Sequence, residues 1–261
     1  MKKIKLILLL ICSVSLSAQE FPAWQGHFSY LNLSGLSQGN GKIVASAENA
    51  YFNYEPNVNF TSTFNSVNGL SGRIISAIHY SEEFELTIIG FENGLVQIVR
   101  DQRNRILNFV DIVNRVTIAP NQKQINHILE YNGVAYLSTD FGIVAFNLAD
   151  REFGDTYFIG NGGSQVEVNQ TAVNNDMLYA ATNSGLFVGD LANPNLIDFD
   201  NWLRIDPNIF RTLTSFNNQV FVTNSANSLF ALSELNNTLN FVNSYTNSIR
   251  DLRISENQLL V

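Results

Sequence analysis

Short apolar runs alternate along this chain with small polar tetrapeptides, and one such phrase returns. Residues 135–148 read AYLSTDFGIVAFNL, and residues 178–191 read LYAATNSGLFVGDL. The same shape occurs in TIIGFENGLVQIV (87–99), VFVTNSANSLFAL (220–232) and IVASAENAYFNY (43–54). Taking Ala50, Gly94, Gly142, Gly185 and Ser228 as equivalent markers gives spacings of 44, 48, 43 and 43 residues. A period in the forties marks a repeat architecture. Each phrase reads as a β-hairpin, two strands around a tight turn where Gly or Asn can take a positive φ.

More strands flank each hairpin. Upstream lie IISAIHY (74–80), QINHILEY (124–131), TAVNNDM (171–177) and RTLTSFNN (211–218); downstream, RILNFVDIV (105–113) is the clearest. Four short strands per roughly 44 residues predict an all-β fold, a β-propeller of four-stranded blades with about five to six blades present. A β-sandwich would need no regular period. No segment carries a 3.6-residue apolar stripe, so helices should be nearly absent. The 35 asparagines suit a chain full of turns. A further repeat begins at IRDLRISENQLLV (249–261), and its hairpin breaks off at residue 261. The expectation is a propeller whose last blade is cut, as the N-terminal part of a longer protein.

The opening MKKIKLILLLICSVSLSAQEF has three lysines, an apolar core too short to span a bilayer, and small residues after it. We read residues 1–18 as a secretory signal peptide and 19–261 as the propeller domain. Cys12, the single cysteine, sits inside the apolar core without the small residues a lipoprotein signal places before it. The exported chain would therefore contain neither disulfides nor thiolate metal sites. Its net charge would be about −11, which disfavours nucleic acid as a partner. No other stretch approaches membrane-spanning length.

Candidate chemistry is sparse. There is no G-x-S-x-G nucleophile motif, so no catalytic residue is assigned, and no cofactor is implied. His79 and His127 fall near equivalent positions of two inner strands; they read first as blade-packing or channel-lining residues without metal, with a shared site as the alternative. Asp198 and Asp200 in IDFDNW read as an acidic turn, since the rest of a calcium loop is missing. The turn NGGS (161–164) lacks the strand-to-helix context of a phosphate cradle. Asp140 and Asn183 read as turn-formers bonded to backbone. Arg100, Arg103 and Arg105 cluster in an acidic protein: a solvated loop, or an anion contact for a carboxylate or phosphate. Propeller topology puts that run on the face opposite the tetrapeptide turns. The alternation of Trp24, Gly26, Phe28 and Tyr30 suggests an outer strand, or a strap that closes the ring.

Two resemblances follow. NGLSGRIISAIHY, with GLS before an inner strand, resembles the propeller repeats in sensor domains of hybrid two-component regulators. An ordered series through nearly the whole chain is similar to the PorZ family of the Bacteroidetes type IX secretion system. It comprises WQGHFSY (24–30), IIGFENGLVQIV (88–99), FVDIVN (109–114), AYLSTDFGIVAFNL, DTYFIGNGG (155–163), LYAATNSGLF (178–187) and NLIDFDNW (195–202). That resemblance implies an exported, non-catalytic protein on the outer face of the outer membrane. It implies an attachment complex with a PorU-like sortase, a PorV-like barrel and a PorQ-like protein, and presentation of anionic lipopolysaccharide to the sortase. The family's two propellers and C-terminal domain exceed what this chain covers, and its binding residues are not carried over. The sensor resemblance implies instead a periplasmic ligand-binding domain.

Overall fold

The computed structural model describes residues 28–101, 103–255 and 257–261. The signal peptide, Cys12, Trp24, Gly26 and His27 lie outside them. Among the described residues, twenty-two strands form five four-stranded antiparallel sheets and one two-stranded hairpin. Blade one holds β1 (Gly35–Gly39), β2 (Lys42–Ala47), β3 (Ala50–Glu55) and β4 (Phe60–Phe64). Blade two holds β5 (Ile75–Ser81), β6 (Leu86–Phe91), β7 (Val96–Arg100) and β8 (Arg103–Phe109). Blade three runs β9 (Ile125–Tyr131), β10 (Val134–Thr139), β11 (Gly142–Asn147) and β12 (Glu152–Tyr157). Blade four runs β13 (Val168–Asn174), β14 (Met177–Thr182), β15 (Gly185–Asp190) and β16 (Trp202–Asp206). Blade five runs β17 (Phe210–Phe216), β18 (Gln219–Asn224), β19 (Ser228–Ser233) and β20 (Thr238–Ser244). The hairpin of β21 (Arg253–Ser255) and β22 (Gln258–Leu260) follows. The chain is an all-β propeller, as its period predicts, with the first strand of each blade innermost.

Two differences from the sequence reading have simple causes. The strand expected at 171–177 runs from Val168 to Asn174, because Asn175 and Asp176 both take positive φ and form the two-residue turn into β14. The downstream strand expected over 105–113 is β8, which stops at Phe109; Asp111–Asn114 then make one helical turn, α1. Residues 28–30 are not a strand, though Tyr30 packs edge-on against Phe52 with ring centroids 5.9 Å apart.

The cores lie between blades, which explains why the middle strands are apolar on both faces. Leu137 of β10 joins Ile88, Ile98 and Phe146 between blades two and three. Its neighbour Tyr136 points the other way, among Leu178, Phe187 and Trp202 between blades three and four. In β14, Leu178 faces blade three while Tyr179 faces Leu213 and Val222 of blade five. With period-two geometry, a strand buried on both faces must be apolar throughout. One blade alone would leave both faces wet, so each copy of the repeat is stable only beside another.

The glycine slot has a steric origin. A Cβ on Gly142 would lie 2.3 Å from the Tyr157 carbonyl oxygen, and one on Gly185 would lie 2.6 Å from that of Asp206. Both glycines open the third strand of a blade, where the outer strand crowds in. Thr139 and Thr182 close the same turns, donating from Oγ1 to the Gly142 and Gly185 carbonyls at 2.8 and 2.7 Å.

A second repeated device ties blades together. Asn126 donates from Nδ2 to Asp140 Oδ1 at 2.9 Å and to the Val168 carbonyl of the next blade at 3.0 Å. Forty-three residues on, Asn169 donates to Asn183 Oδ1 at 3.0 Å and to the Phe210 carbonyl of blade five at 2.7 Å. Asp140 and Asn183 are turn residues, as expected. Their side chains also bond to side chains: each orients an asparagine that spans the blade junction, and the Asp140 carboxylate in addition accepts from the Gln124 backbone.

Candidate functional site

The inner strands enclose a central channel of about 570 Å³. Gln38 of β1, His79 of β5, His127 of β9, Gln170 of β13 and Thr212 of β17 line it, and residues 250–255 complete the wall. The wall mixes polar and apolar groups, because inner strands put alternate residues toward the axis and the others into the blade cores.

Charge is unevenly placed there. Among the described residues lining the channel, Arg211, Arg250 and Arg253 face one carboxylate, Asp251. The whole chain carries a formal charge of −8, so this concentration of cations is local. Arg253 Nε meets Asp251 Oδ2 at 2.8 Å, and both side chains stay substantially exposed, at 45% and 38%. Arg211 and Arg250 are exposed as well.

The two histidines do line one channel, but in different environments. His79 Nε2 lies 2.9 Å from Glu130 Oε2, and Ser81 Oγ donates to the other carboxylate oxygen at 2.9 Å. His127 has a buried Nδ1 without a hydrogen-bond partner. Burial first, then the positive charges of His79 and Arg253, push its imidazole down to about 3. It is therefore neutral at physiological pH. Among the described residues no three His, Cys, Asp or Glu side chains gather as metal ligands do.

The arginine run lies elsewhere, at the turn between β7 and β8. Arg100 pairs in register with Arg103, and Arg105 follows two residues along β8 with its side chain exposed. Between them Asp101 turns inward. It accepts from Lys42 Nζ at 2.6 Å and Tyr80 Oη at 2.6 Å, and its amide donates to the Glu85 carbonyl. The acid nearest the run is thus already engaged by Lys42 of blade one and Tyr80 of its own blade. Burial and the bond to Asp101 push the Tyr80 phenol up to about 12. The β5–β6 and β7–β8 turns share one face, opposite the tetrapeptide turns, as the topology requires.

The remaining candidates are turn-builders. Asp198 accepts from the Asp200 amide at 3.1 Å and so starts a short 3₁₀ turn; nearby, the Trp202 indole donates to the Leu196 carbonyl at 2.9 Å. In 161–164, Gly162 and Gly163 take positive φ inside a turn closed by the Gly160 amide on the Ser164 carbonyl. Sequence reasoning did not find the channel arginines. Arg211 opens RTLTSFNN, and Arg250 and Arg253 fall in IRDLR, 39 to 42 residues later. Only the ring brings them to one cavity.

Comparison with known proteins agrees with this architecture. No curated protein matches the sequence. Among solved structures, PorZ of Porphyromonas gingivalis superposes with a TM-score of 0.73 at 20% identity, covering 88% of this chain and 30% of its own. It is described as an essential bacterial surface component of the type IX secretion system. The extracellular domain of BT4673 from B. thetaiotaomicron, a candidate one-component system, superposes at 0.67 with 14% identity, covering 90% and 32%. The chain thus spans about a third of the length of either protein. No helix among the described residues is long and apolar enough to cross a membrane. The model of the PorZ N-terminal β-propeller domain of type IX secretion matches residues 43–203, from β2 into β16, and the chain belongs to that family.

Proposed function

We propose that this chain is a non-catalytic scaffold of type IX secretion at the cell surface. The observation that carries the reading is the family match across blades one to four. The physical frame suits the role. Rigid, mutually buried blades hold their connecting turns in fixed positions, and such turns are where propellers dock partners. On this reading the partners are a PorU-like sortase and PorV-like and PorQ-like proteins of the attachment complex. The β7–β8 turn, with Arg100, Arg103 and Arg105, is the candidate contact for anionic lipopolysaccharide, since guanidinium groups pair with carboxylate and phosphate. The signal peptide at 1–18 would carry the chain out of the cytoplasm.

Cross-linking on intact cells, followed by purification of the tagged full-length protein, tests this. Recovery of the sortase and barrel is expected; a purification with neither would overturn it. For the glycan contact, Arg100→Gln/Arg105→Gln should reduce co-purified lipopolysaccharide, and unchanged recovery would remove the run from the account. A ligand-sensing role is the second reading, favoured by the fold shared with the BT4673 extracellular domain. It requires a transmembrane signalling partner and unaltered secretion in a deletion strain.

A further inference from the structure

We infer that the central channel is a binding site for a small oxyanion, a free carboxylate or phosphate compound of low molecular weight. The inference rests on the placement of charge. Arg211 from β17 and Arg250 and Arg253 from beside and within β21 converge on one cavity, with Asp251 the single acid among its described lining. Asp251 engages Arg253 through Nε, and among the described residues the guanidinium groups of Arg211 and Arg250 have no hydrogen-bond or ion-pair partner competing for an incoming anion.

The cavity has the right size and lining. Its volume of about 570 Å³ falls within the range usual for small-molecule sites. Gln38, Ser76, Gln170 and Thr214 add neutral hydrogen-bonding groups along the wall. In a cleft with low-dielectric walls, one sign of charge is felt more strongly than at an open surface. The excess of cations is set within a chain of net charge −8, so bulk electrostatics do not account for it. His127 stands in the same wall, where its response to a bound anion can be measured.

The proposal stands apart from the secretion scaffold. The channel arginines are not those of the β7–β8 turn, and either reading can fail while the other survives.

The test is titration of the intact protein with inorganic phosphate and, separately, with glucuronate, by calorimetry at low salt. Saturable binding is expected for at least one probe. Arg211→Gln and Arg250→Gln should each weaken it about tenfold, as loss of a charge-assisted bond does. Arg151→Gln, at the β11–β12 turn and outside both the channel lining and the arginine run, should leave it unchanged. Because the channel variants change exposed residues, circular dichroism will confirm their fold. The nuclear magnetic resonance signals of the His127 ring should move on saturation of the wild type, a readout that needs no variant. Lipopolysaccharide micelles form the comparison arm. Binding of micelles without binding of either free probe would overturn the proposal, as would binding that is lost in Arg151→Gln and kept in the channel variants.

Discussion

Asn169→Ala should loosen the junction between blades four and five. The side chain makes two hydrogen bonds, to Asn183 Oδ1 at 3.0 Å and to the Phe210 carbonyl at 2.7 Å. A net hydrogen bond contributes about 1 kcal/mol, and a buried acceptor left unpaired costs about 1–3 kcal/mol. Phe210 is almost wholly buried, at 1% exposure, so water cannot readily replace the lost donor. The expected loss is therefore about 2–3 kcal/mol. For a chain of this size that lowers the melting temperature by about 5–10 °C. Scanning calorimetry measures it, and amide exchange locates it: protection should fall first in β17 and β18. Asn126→Ala should do the same at the junction of blades three and four, where its acceptors are Asp140 and the Val168 carbonyl. A melting temperature within about 1 °C of wild type for Asn169→Ala would refute the reasoning.

Other outcomes follow from the same geometry. Asp140→Asn keeps the acceptor for Asn126 and removes a charge that burial disfavours. Burial raises the Asp140 carboxyl, and burial followed by the charge of Asp140 raises Glu167. A raised carboxyl pKa favours the fold at acid pH and costs stability as pH rises through the folded value. Melting curves should therefore show the variant gaining on wild type at neutral pH and losing that advantage near pH 4. His127 acts in the opposite sense. Its folded value, about 3, lies below the unfolded 6.5, so wild type loses stability as pH falls beneath 6.5. His127→Leu should flatten that loss, and an equal slope in both proteins would contradict the assignment. Gly142→Ala places a Cβ on a backbone carbonyl and should cost about 2 kcal/mol or more by denaturant unfolding, whereas unchanged stability would mean that β12 yields freely.

The blade repeat was legible because its cause is local. Two-sided burial makes the middle strands apolar throughout, and the glycine slot marks where the outer strand crowds the hairpin. Strand β1, reading GLSQG, was not legible: it is short, rich in small polar residues, and lines the channel. The helical turn α1 within FVDIVN was hidden for a related reason, since four residues are too few to show a helical period. Asp140 and Asn183 were placed in turns correctly, but their partners are 14 residues away along the chain, beyond the reach of turn rules. The site was harder still. Arg211 and Arg253 lie in different repeats at positions no motif connects, and only closure of inner strands around an axis makes them neighbours. The run of Arg100, Arg103 and Arg105 was visible as sequence, and the structure adds that Asp101 beside it is bonded to Lys42 and Tyr80.

The central claim is a role in type IX secretion. The measurement that tests it most directly is deletion of the gene in the bacterium that encodes it, with complementation, while following the cargo proteins of the system on the cell surface. The proposed scaffold role predicts that cargo fails to become attached to the cell surface, and that the full-length gene restores attachment. Normal attachment in the deletion strain would contradict it.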